Sequence, residues 1–192
     1  MSVKFKTIEA NETDHVLQGD IFQNVSYIYK TAEENDYVDI TEFEFPYVVV
    51  ISQSCDVSAM SKMVSEGGKT LKFMPSVLLA PIYEKEMLKT GDIFSEVIKE
   101  ADFSLSKESL FSSKQYDIIK NDDHYRFQTL EFSEKKPIDF ENPIIDFKHY
   151  FTVSVEYLNS IKDKRLCHLE QLFCEQITLR FSNYLSRIAF PD

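Results

Sequence analysis

The feature that most constrains the fold is the unbroken apolar run Tyr-Val-Val-Val-Ile at positions 47–51, directly after Pro46. Such a run predicts a central strand buried on both faces, because a half-exposed strand would alternate apolar and polar residues. Proline has no backbone N–H to give to a sheet, so Pro46 is expected at the start of the strand. The segment Ser76–Pro81 predicts a second buried strand, which ends at Pro81. These two segments predict the centre of a sheet.

Periodicity elsewhere predicts a mixture of strands and helices. Alternation at Val25, Tyr27 and Tyr29 indicates a half-buried strand. The other predicted elements are a polar loop over 30–42, a helix over 57–66, an inserted helical excursion over 84–120 with short helices near 84–90 and 107–114, a strand over 144–155 and a long C-terminal helix over 165–188. At 192 residues, the chain is expected to form a single domain, 1–192, of α+β class.

The charge balance limits the kinds of partner. The chain has 21 Lys and Arg against 32 Asp and Glu, a net charge of −11. This excludes a generally basic nucleic-acid binder, although it leaves open a local basic patch that contacts nucleic acid, and it disfavours attraction to an anionic membrane. The acidic segment 33–36, Glu-Glu-Asn-Asp, is open to two interpretations, a solvated loop or a docking site for a basic partner.

The cysteines and the N-terminus indicate a compartment. Three cysteines, Cys55, Cys167 and Cys174, do not form a disulfide framework, so a reducing cytoplasm is expected. The sequence lacks a secretory signal and a membrane-spanning run. Cys167 and Cys174 fall on one face of the predicted C-terminal helix, but without Cys-x-x-Cys spacing they predict core packing, with no metal and no cofactor.

The most suggestive candidate site follows the first buried strand. Polar side chains at the end of a strand and before a helix are often placed for binding. The candidate residues are Ser52, Gln53, Ser54, Cys55 and Asp56. Cys55 is a candidate nucleophile near a helix N-terminus, for which His15, His124, His149 or His168 could serve as base. Alternatively, Asp56 caps the helix and Cys55 is a small buried apolar residue.

The order of motifs resembles the PemK/MazF-like toxins. The segments that carry the resemblance are Gly19-Asp20-Ile21, Pro46–Ser52, Val77–Pro81, Ile144–Val155 and Arg165-Leu166 before the last helix. The resemblance implies a closed or nearly closed SH3-like barrel, and a homodimer through the barrel and the C-terminal helix. The Ser-x-x-Cys-Asp turn is also similar to one in uncharacterised bacterial proteins.

The resemblance breaks at the ribonuclease residues of the family. Phe45 stands where the family has an arginine, and Tyr83 stands where it has a threonine or serine. The leading prediction is therefore a non-catalytic module of a bacterial toxin–antitoxin-like or phage-defence system that binds a partner protein. The alternatives are an endoribonuclease-like toxin with a site rebuilt around Ser52, Cys55, Asp56 and Tyr83, or a thiol-dependent enzyme that uses Cys55.

Overall fold

The apolar run at 47–51 lies at the centre of a sheet, as its sequence predicts. The computed structural model describes residues 4–9, 15–34, 37–66, 73–91, 112–121, 123–133 and 136–187. Within this part of the chain, Val48, Val49 and Val50 are buried. Their strand pairs antiparallel with residues 21–34 on one side and with residues 79–82 on the other. The α+β class predicted from the sequence is confirmed.

The elements alternate irregularly along the chain. The strands are β1 (Lys4–Phe5), β2 (Thr7–Glu9), β3 (Asp20–Glu34), β4 (Tyr37–Val50), β5 (Val77–Glu84), β6 (Phe127–Thr129), β7 (Glu131–Phe132), β8 (Pro143–Asp146), β9 (Phe151–Val153) and β10 (Arg165–Leu169). The α-helices are α1 (Ser54–Glu66), α2 (Lys85–Thr90), α3 (Ser113–Lys120), α4 (Val155–Ser160) and α5 (Gln171–Leu185). Short 3-10 helices occupy Phe147–His149 and Lys162–Lys164.

The main sheet is open, so the predicted closed barrel is wrong. The strand order is β2-β10-β3-β4-β5-β8-β6, all antiparallel, and β9 pairs with the start of β5. Among the described residues, the end strands β2 and β6 do not pair with each other. A closed barrel buries its core inside one curved sheet, whereas this sheet stays open because helices cover both of its faces. Val48 and Val50 pack with α1 and α4 on one face, whereas Val49 packs with α5 on the other.

The predicted polar loop over 30–42 is also wrong, because most of it extends a hairpin. β3 and β4 pair from Ile21↔Val49 out to Glu34↔Tyr37. Residues that favour strands, such as Thr31, Val38 and Ile40, are interspersed among the acidic residues of this segment. The register shifts between Ile28 and Lys30, and this shift obscures the alternation that would otherwise mark a strand.

Two further predicted boundaries need correction. The C-terminal helix begins at Gln171 rather than at residue 165, because residues 165–169 form β10 between β2 and β3. The strand predicted over 144–155 is interrupted at residues 147–149, where the Asp146 side chain accepts a hydrogen bond from the Lys148 amide. Helix α2 confirms the helix predicted near 84–90, and α3 begins near the end of the one predicted over 107–114. The rest of the predicted excursion, residues 92–111, lies outside the described residues.

A buried carboxylate joins the start of β3 to β10. Asp20 is fully buried, and its side chain accepts a hydrogen bond of 2.8 Å from the Leu17 amide. Arg165 Nη1 lies 3.2 Å from one carboxylate oxygen, and His168 Nδ1 lies 3.0 Å from the other. These interactions fix the turn before β3 against the strand that leads into α5.

Gly19 allows this turn to lie directly against α5. Its φ is +85°, and a β-carbon at this position would collide with the Cys174 sulfur and lie 3.3 Å from Leu169 Cβ.

We expect Gly19→Ala to lower the free energy of unfolding by about 3 kcal/mol, since backbone strain and overpacking add. Urea denaturation measures this loss, with the exposed-surface variant Leu172→Ala as the control. A loss below about 1 kcal/mol would contradict the proposed close packing.

Candidate functional site

The turn at residues 52–56 joins the end of β4 to the start of α1. Helix α1 begins at Ser54, and the Gln53 carbonyl accepts hydrogen bonds of 3.1 Å from the amides of Asp56 and Val57. Asp56 therefore lies within the first turn of the helix, and its predicted role as the N-cap is wrong. A carboxylate in the first turn still interacts favourably with the helix dipole.

The two serines of the turn hold the fold together. Ser52 Oγ accepts a 2.9 Å hydrogen bond from the amide of Leu78, at the start of β5. Ser54 Oγ accepts a 3.1 Å hydrogen bond from the amide of Gln18, in the turn before β3. Both hydroxyls therefore satisfy backbone amides of other segments, which is a structural role.

Gln53 and Cys55 are the exposed members of the turn, and both line a groove. The groove lies between the turn and α5 and has a volume of about 600 Å³. We call it the turn groove. Its lining residues are Gln18, Gln53, Ser54, Cys55, Gln171, Glu175, Thr178, Leu179 and Ser182. The sequence thus predicted one wall of the groove, and the structure supplies the other wall from α5.

The Cys55 thiol has an amide oxygen beside it. Cys55 Sγ lies 3.9 Å from Gln53 Oε1, an acceptor too weakly basic to activate a thiol as a nucleophile. Two of the histidines considered as bases lie against buried carboxylates instead, His149 beside Asp146 and His168 beside Asp20. The contacts at Cys55 therefore suit binding better than thiol catalysis.

Gln18 is a residue of the groove that the sequence analysis missed. It is buried, and its Nε2 donates to the Ile51 carbonyl at 3.4 Å and to the Thr178 hydroxyl. It therefore connects the end of β4 to α5 across the base of the groove. The sequence marks residues 17–20 only as a turn, so the role of the glutamine follows from tertiary contacts alone.

Tyr83 is not part of this site. Ser52 is bonded to Leu78, whereas Tyr83 lies further along β5, about 16 Å away at roughly 3.3 Å per residue. The Tyr83 side chain is buried, and this burial raises the pKa of its phenol, with the charge of Asp146 adding to the effect. The structure therefore brings residues 52–56 together but leaves Tyr83 at a separate place.

Tyr83 belongs to a buried polar network around Asp146. Arg126 donates to the Asp146 carboxylate through Nε at 2.8 Å and through Nη2 at 2.6 Å. His149 Nδ1 lies 3.2 Å from both Asp146 Oδ2 and the Tyr83 hydroxyl. Burial lowers the pKa of His149, and the nearby Arg126 also lowers it, while Asp146 opposes the shift. The interpretation of His149 as a satisfied histidine at the edge of the core agrees with these contacts.

Phe45, at the position of the family's arginine, is a core residue. It is buried, and its ring stacks on that of Phe151 with centroids 4.5 Å apart. A positive charge near Tyr83 comes instead from Arg126. Its side chain contacts Asp146 and His149, and His149 contacts the Tyr83 hydroxyl. Sequence analysis missed Arg126 and Asp146. The one available signal was a carboxylate at the end of the apolar segment Ile144-Ile145.

Cys167 and Cys174 are buried, which confirms the prediction of core packing. They do not share a helix, however, because Cys167 lies on β10 and Cys174 on α5. Burial raises the pKa of each thiol to about 12. Cys174 Sγ donates to the carbonyls of Gln18 at 3.3 Å and Leu169 at 3.2 Å.

Comparison of the chain with models of known protein families and with curated proteins finds no match in either case. The relationship to PemK/MazF-like toxins therefore stays a prediction. Among the helices that the structure describes, none is both long enough and apolar enough to cross a membrane.

The three thiols should differ sharply in reactivity. We expect a thiol reagent such as Ellman's reagent to modify Cys55 rapidly in the native protein, because it is the exposed cysteine. Cys167 and Cys174 should react only after denaturation, since each is buried and its pKa is raised to about 12. Absorbance during labelling measures this, with Cys55→Ser as the control. Rapid labelling of the Cys55→Ser variant would contradict the assignment.

Proposed function

We propose that the protein is a non-catalytic binding module that holds a segment of a partner protein in the turn groove. The observation that carries the proposal is the division of roles in residues 52–55. The two serines satisfy backbone amides, while Gln53 and Cys55 are exposed to a groove of about 600 Å³. A volume of this size is in the range that binding pockets use.

The lining of the groove suits a polypeptide segment. Gln53, Gln171 and Thr178 offer donors and acceptors that match main-chain amides and carbonyls. Leu179 adds an exposed apolar surface, and Leu172 lies two turns earlier on the same helix. A groove that combines hydrogen-bonding amides with an exposed leucine fits an extended segment with alternating polar and apolar side chains.

The charge of the groove favours a basic segment. Glu175 is the charged member of the described lining, and Asp56 follows Cys55 in the first turn of α1. The net charge of the whole chain, −11, is negative like these two side chains. Attraction between unlike charges speeds encounter and selects against acidic partners. Placement in a toxin–antitoxin-like or phage-defence system, and a homodimer, remain predictions that rest on the family resemblance.

A display library of random peptides tests the proposal. We expect peptides selected on the protein to be enriched in Lys and Arg. Their affinity should fall at least about tenfold in Leu179→Arg, which places a cation and a bulky side chain in the groove. Leu185→Arg is the matched control, because Leu185 is an exposed leucine of α5 outside the lining. Equal losses in both variants, or binders without basic residues, would contradict the proposal.

The same peptides separate binding from thiol chemistry. We expect Cys55→Ser to retain binding, because the proposed contacts are hydrogen bonds and apolar packing. Mass spectrometry of the complex should show no covalent adduct. A peptide held covalently by wild type, with binding lost in Cys55→Ser, would favour the thiol-dependent enzyme instead.

One observation favours a second candidate, an endoribonuclease-like activity centred on Tyr83. Arg126 brings a cation into the network that contains Tyr83 and His149, although Phe45 supplies none. The network is largely buried and Arg126 is paired with Asp146, so an RNA phosphate would have to displace that carboxylate. This cost ranks the activity below the binding module.

Expression in a bacterial host separates the two candidates. The binding module predicts normal growth and intact total RNA for wild type and for Tyr83→Phe. New RNA ends with growth arrest in wild type, both abolished by Tyr83→Phe, would establish the nuclease and reject the non-catalytic proposal. Folding of the variant is checked by its melting temperature, since loss of one hydrogen bond costs only about 1 kcal/mol.

A further inference from the structure

In the part of the chain that the structure describes, the outer half of the β3–β4 hairpin has no neighbouring strand. We call residues 28–34 and 37–42 the outer ribbon. β10 pairs with β3 only at residues 20–22, and β5 pairs with β4 only at residues 47–50. Within the described residues, both edges of the outer ribbon therefore face no strand. At roughly 3.3 Å per residue, the ribbon extends about 20 Å.

The outer ribbon exposes several large apolar side chains. Ile28, Tyr29, Tyr37, Val38 and Ile40 are between 47% and 78% exposed. Such a group in one hairpin is unusual for a surface that remains in water, whereas isolated exposed apolar residues are common.

The two faces of the ribbon have distinct compositions. Pairing and alternation place Ile28, Val38 and Ile40 on one face, with Glu42 opposite Ile28 and Glu33 opposite Val38. The result is an aliphatic stripe with carboxylates along it.

The opposite face is aromatic. The Tyr29 ring stacks on Phe43, with centroids 4.7 Å apart, which places Tyr29 on the face of odd-numbered β4 residues. Tyr37 and Asp39 share that face by alternation. Both faces therefore combine apolar surface with negative charge.

A two-stranded ribbon of this kind is marginally stable in water unless something covers it. Long unpaired edges are also sites where another strand can add, and proteins usually protect them. The β3 edge is partly protected at its base, because Tyr157 Oη accepts from the Ser26 amide and Lys164 Nζ donates to the Asn24 carbonyl. The edge of β4 over residues 37–42 is the more open one.

We infer that the outer ribbon binds an extended segment of a partner protein by strand addition along the free edge of β4, and that this segment alternates basic and apolar side chains. Strand addition supplies main-chain hydrogen bonds, and side chains at every second position supply specificity. An apolar side chain would lie beside Val38 and Ile40, and the basic side chains would lie on the opposite face of the ribbon, beside Asp39.

The charge of the ribbon selects the occupant. Residues 28–34 and 37–42 contain one lysine and four carboxylate residues, a net charge of −3. A second copy of this chain would bring an equal negative charge against the first, which opposes self-pairing. A basic strand gains attraction at the same place. The ribbon and the turn groove are separate surfaces, and this inference does not rest on the proposal for the groove.

Synthetic peptides test the inference. The probe is a fluorescent peptide of alternating lysine and valine, and its control is the matching peptide of glutamate and valine. We expect the basic peptide to bind, with an affinity that falls as salt is added, and the acidic peptide to bind at least about tenfold more weakly. Equal binding of the two peptides would overturn the charge argument.

Backbone methylation separates strand addition from docking of side chains alone. One basic peptide carries N-methyl groups at odd positions and another at even positions. An added strand turns alternate amides toward its neighbour, so one methylated peptide should lose binding and the other should retain it. Equal affinities of the two methylated peptides would overturn strand addition.

Variants of the protein locate the surface. Ile40→Lys and Asp39→Lys should each weaken binding of the basic peptide about tenfold or more, because each places a cation where the peptide would lie, whereas the exposed isoleucine control Ile118→Lys should not. The loss caused by Ile40→Lys should be the same in wild type and in the Leu179→Arg background, which blocks the turn groove, so failure here is distinguishable from failure of the groove proposal. Light scattering that shows a dimer lost in Ile40→Lys would overturn the inference in favour of a second copy.

Discussion

The buried carboxylate of Asp20 is the interaction on which the rest of the structure depends. Its two oxygens are held by the Leu17 amide, Arg165 and His168, so one residue joins the turn before β3 to β10. A buried charge is tolerated only when it is fully paired, and removing one partner typically costs about 3–5 kcal/mol. The position of β10 in turn determines where α5 begins, and Gly19 allows Cys174 to pack against the same turn. The turn groove exists because this turn and α5 are fixed against each other.

The polar residues divide into those that hold the fold and those that are exposed to a partner. Asp20, Asp146, Ser52 and Ser54 have partners within the protein, and the two aspartates are fully buried. Gln53 and Cys55 remain exposed beside the turn groove, and the outer ribbon exposes its apolar side chains beside carboxylates. The polar groups that resemble an active site are therefore mostly buried, while the accessible surface contains the groove and the ribbon for which we propose partner binding.

Local sequence signals predicted the buried parts of two strands, at 47–51 and 76–81, the helix near 84–90 and the burial of Cys167 and Cys174, because continuous apolar runs act over a few residues. The prolines expected to bound the two strands do not do so, since β4 begins at Tyr37, before Pro46, and β5 continues past Pro81 to Glu84. The strands of the outer ribbon were not predicted, because a register shift at Ile28–Lys30 breaks the alternation of apolar and polar residues and because acidic residues are typical of loops. The start of α5 was predicted too early, because Leu166 and Leu169 continue the helical spacing of apolar residues although they lie on a strand. The junction between β4 and the next helix was predicted at residues 52–56, but α1 begins at Ser54 rather than at residue 57. Its packing beside α5 depends on Asp20 meeting Arg165 and His168, which lie 145 and 148 residues further along the chain. The separation of Tyr83 from that turn likewise follows from the length of β5.

Amide NMR spectra of the protein titrated with the lysine–valine peptide test the central claim most directly, because they report every contacted backbone position at once. The account predicts that shifts concentrate in the outer ribbon, around residues 37–42, and beside the turn at residues 53–55 if the same basic segment also enters the groove. Resonances around Tyr83, Asp146 and His149 should stay unchanged, since that network is internal. Shifts centred on that network, with the ribbon unaffected, would contradict the account of a binding module with an exposed acidic and apolar surface.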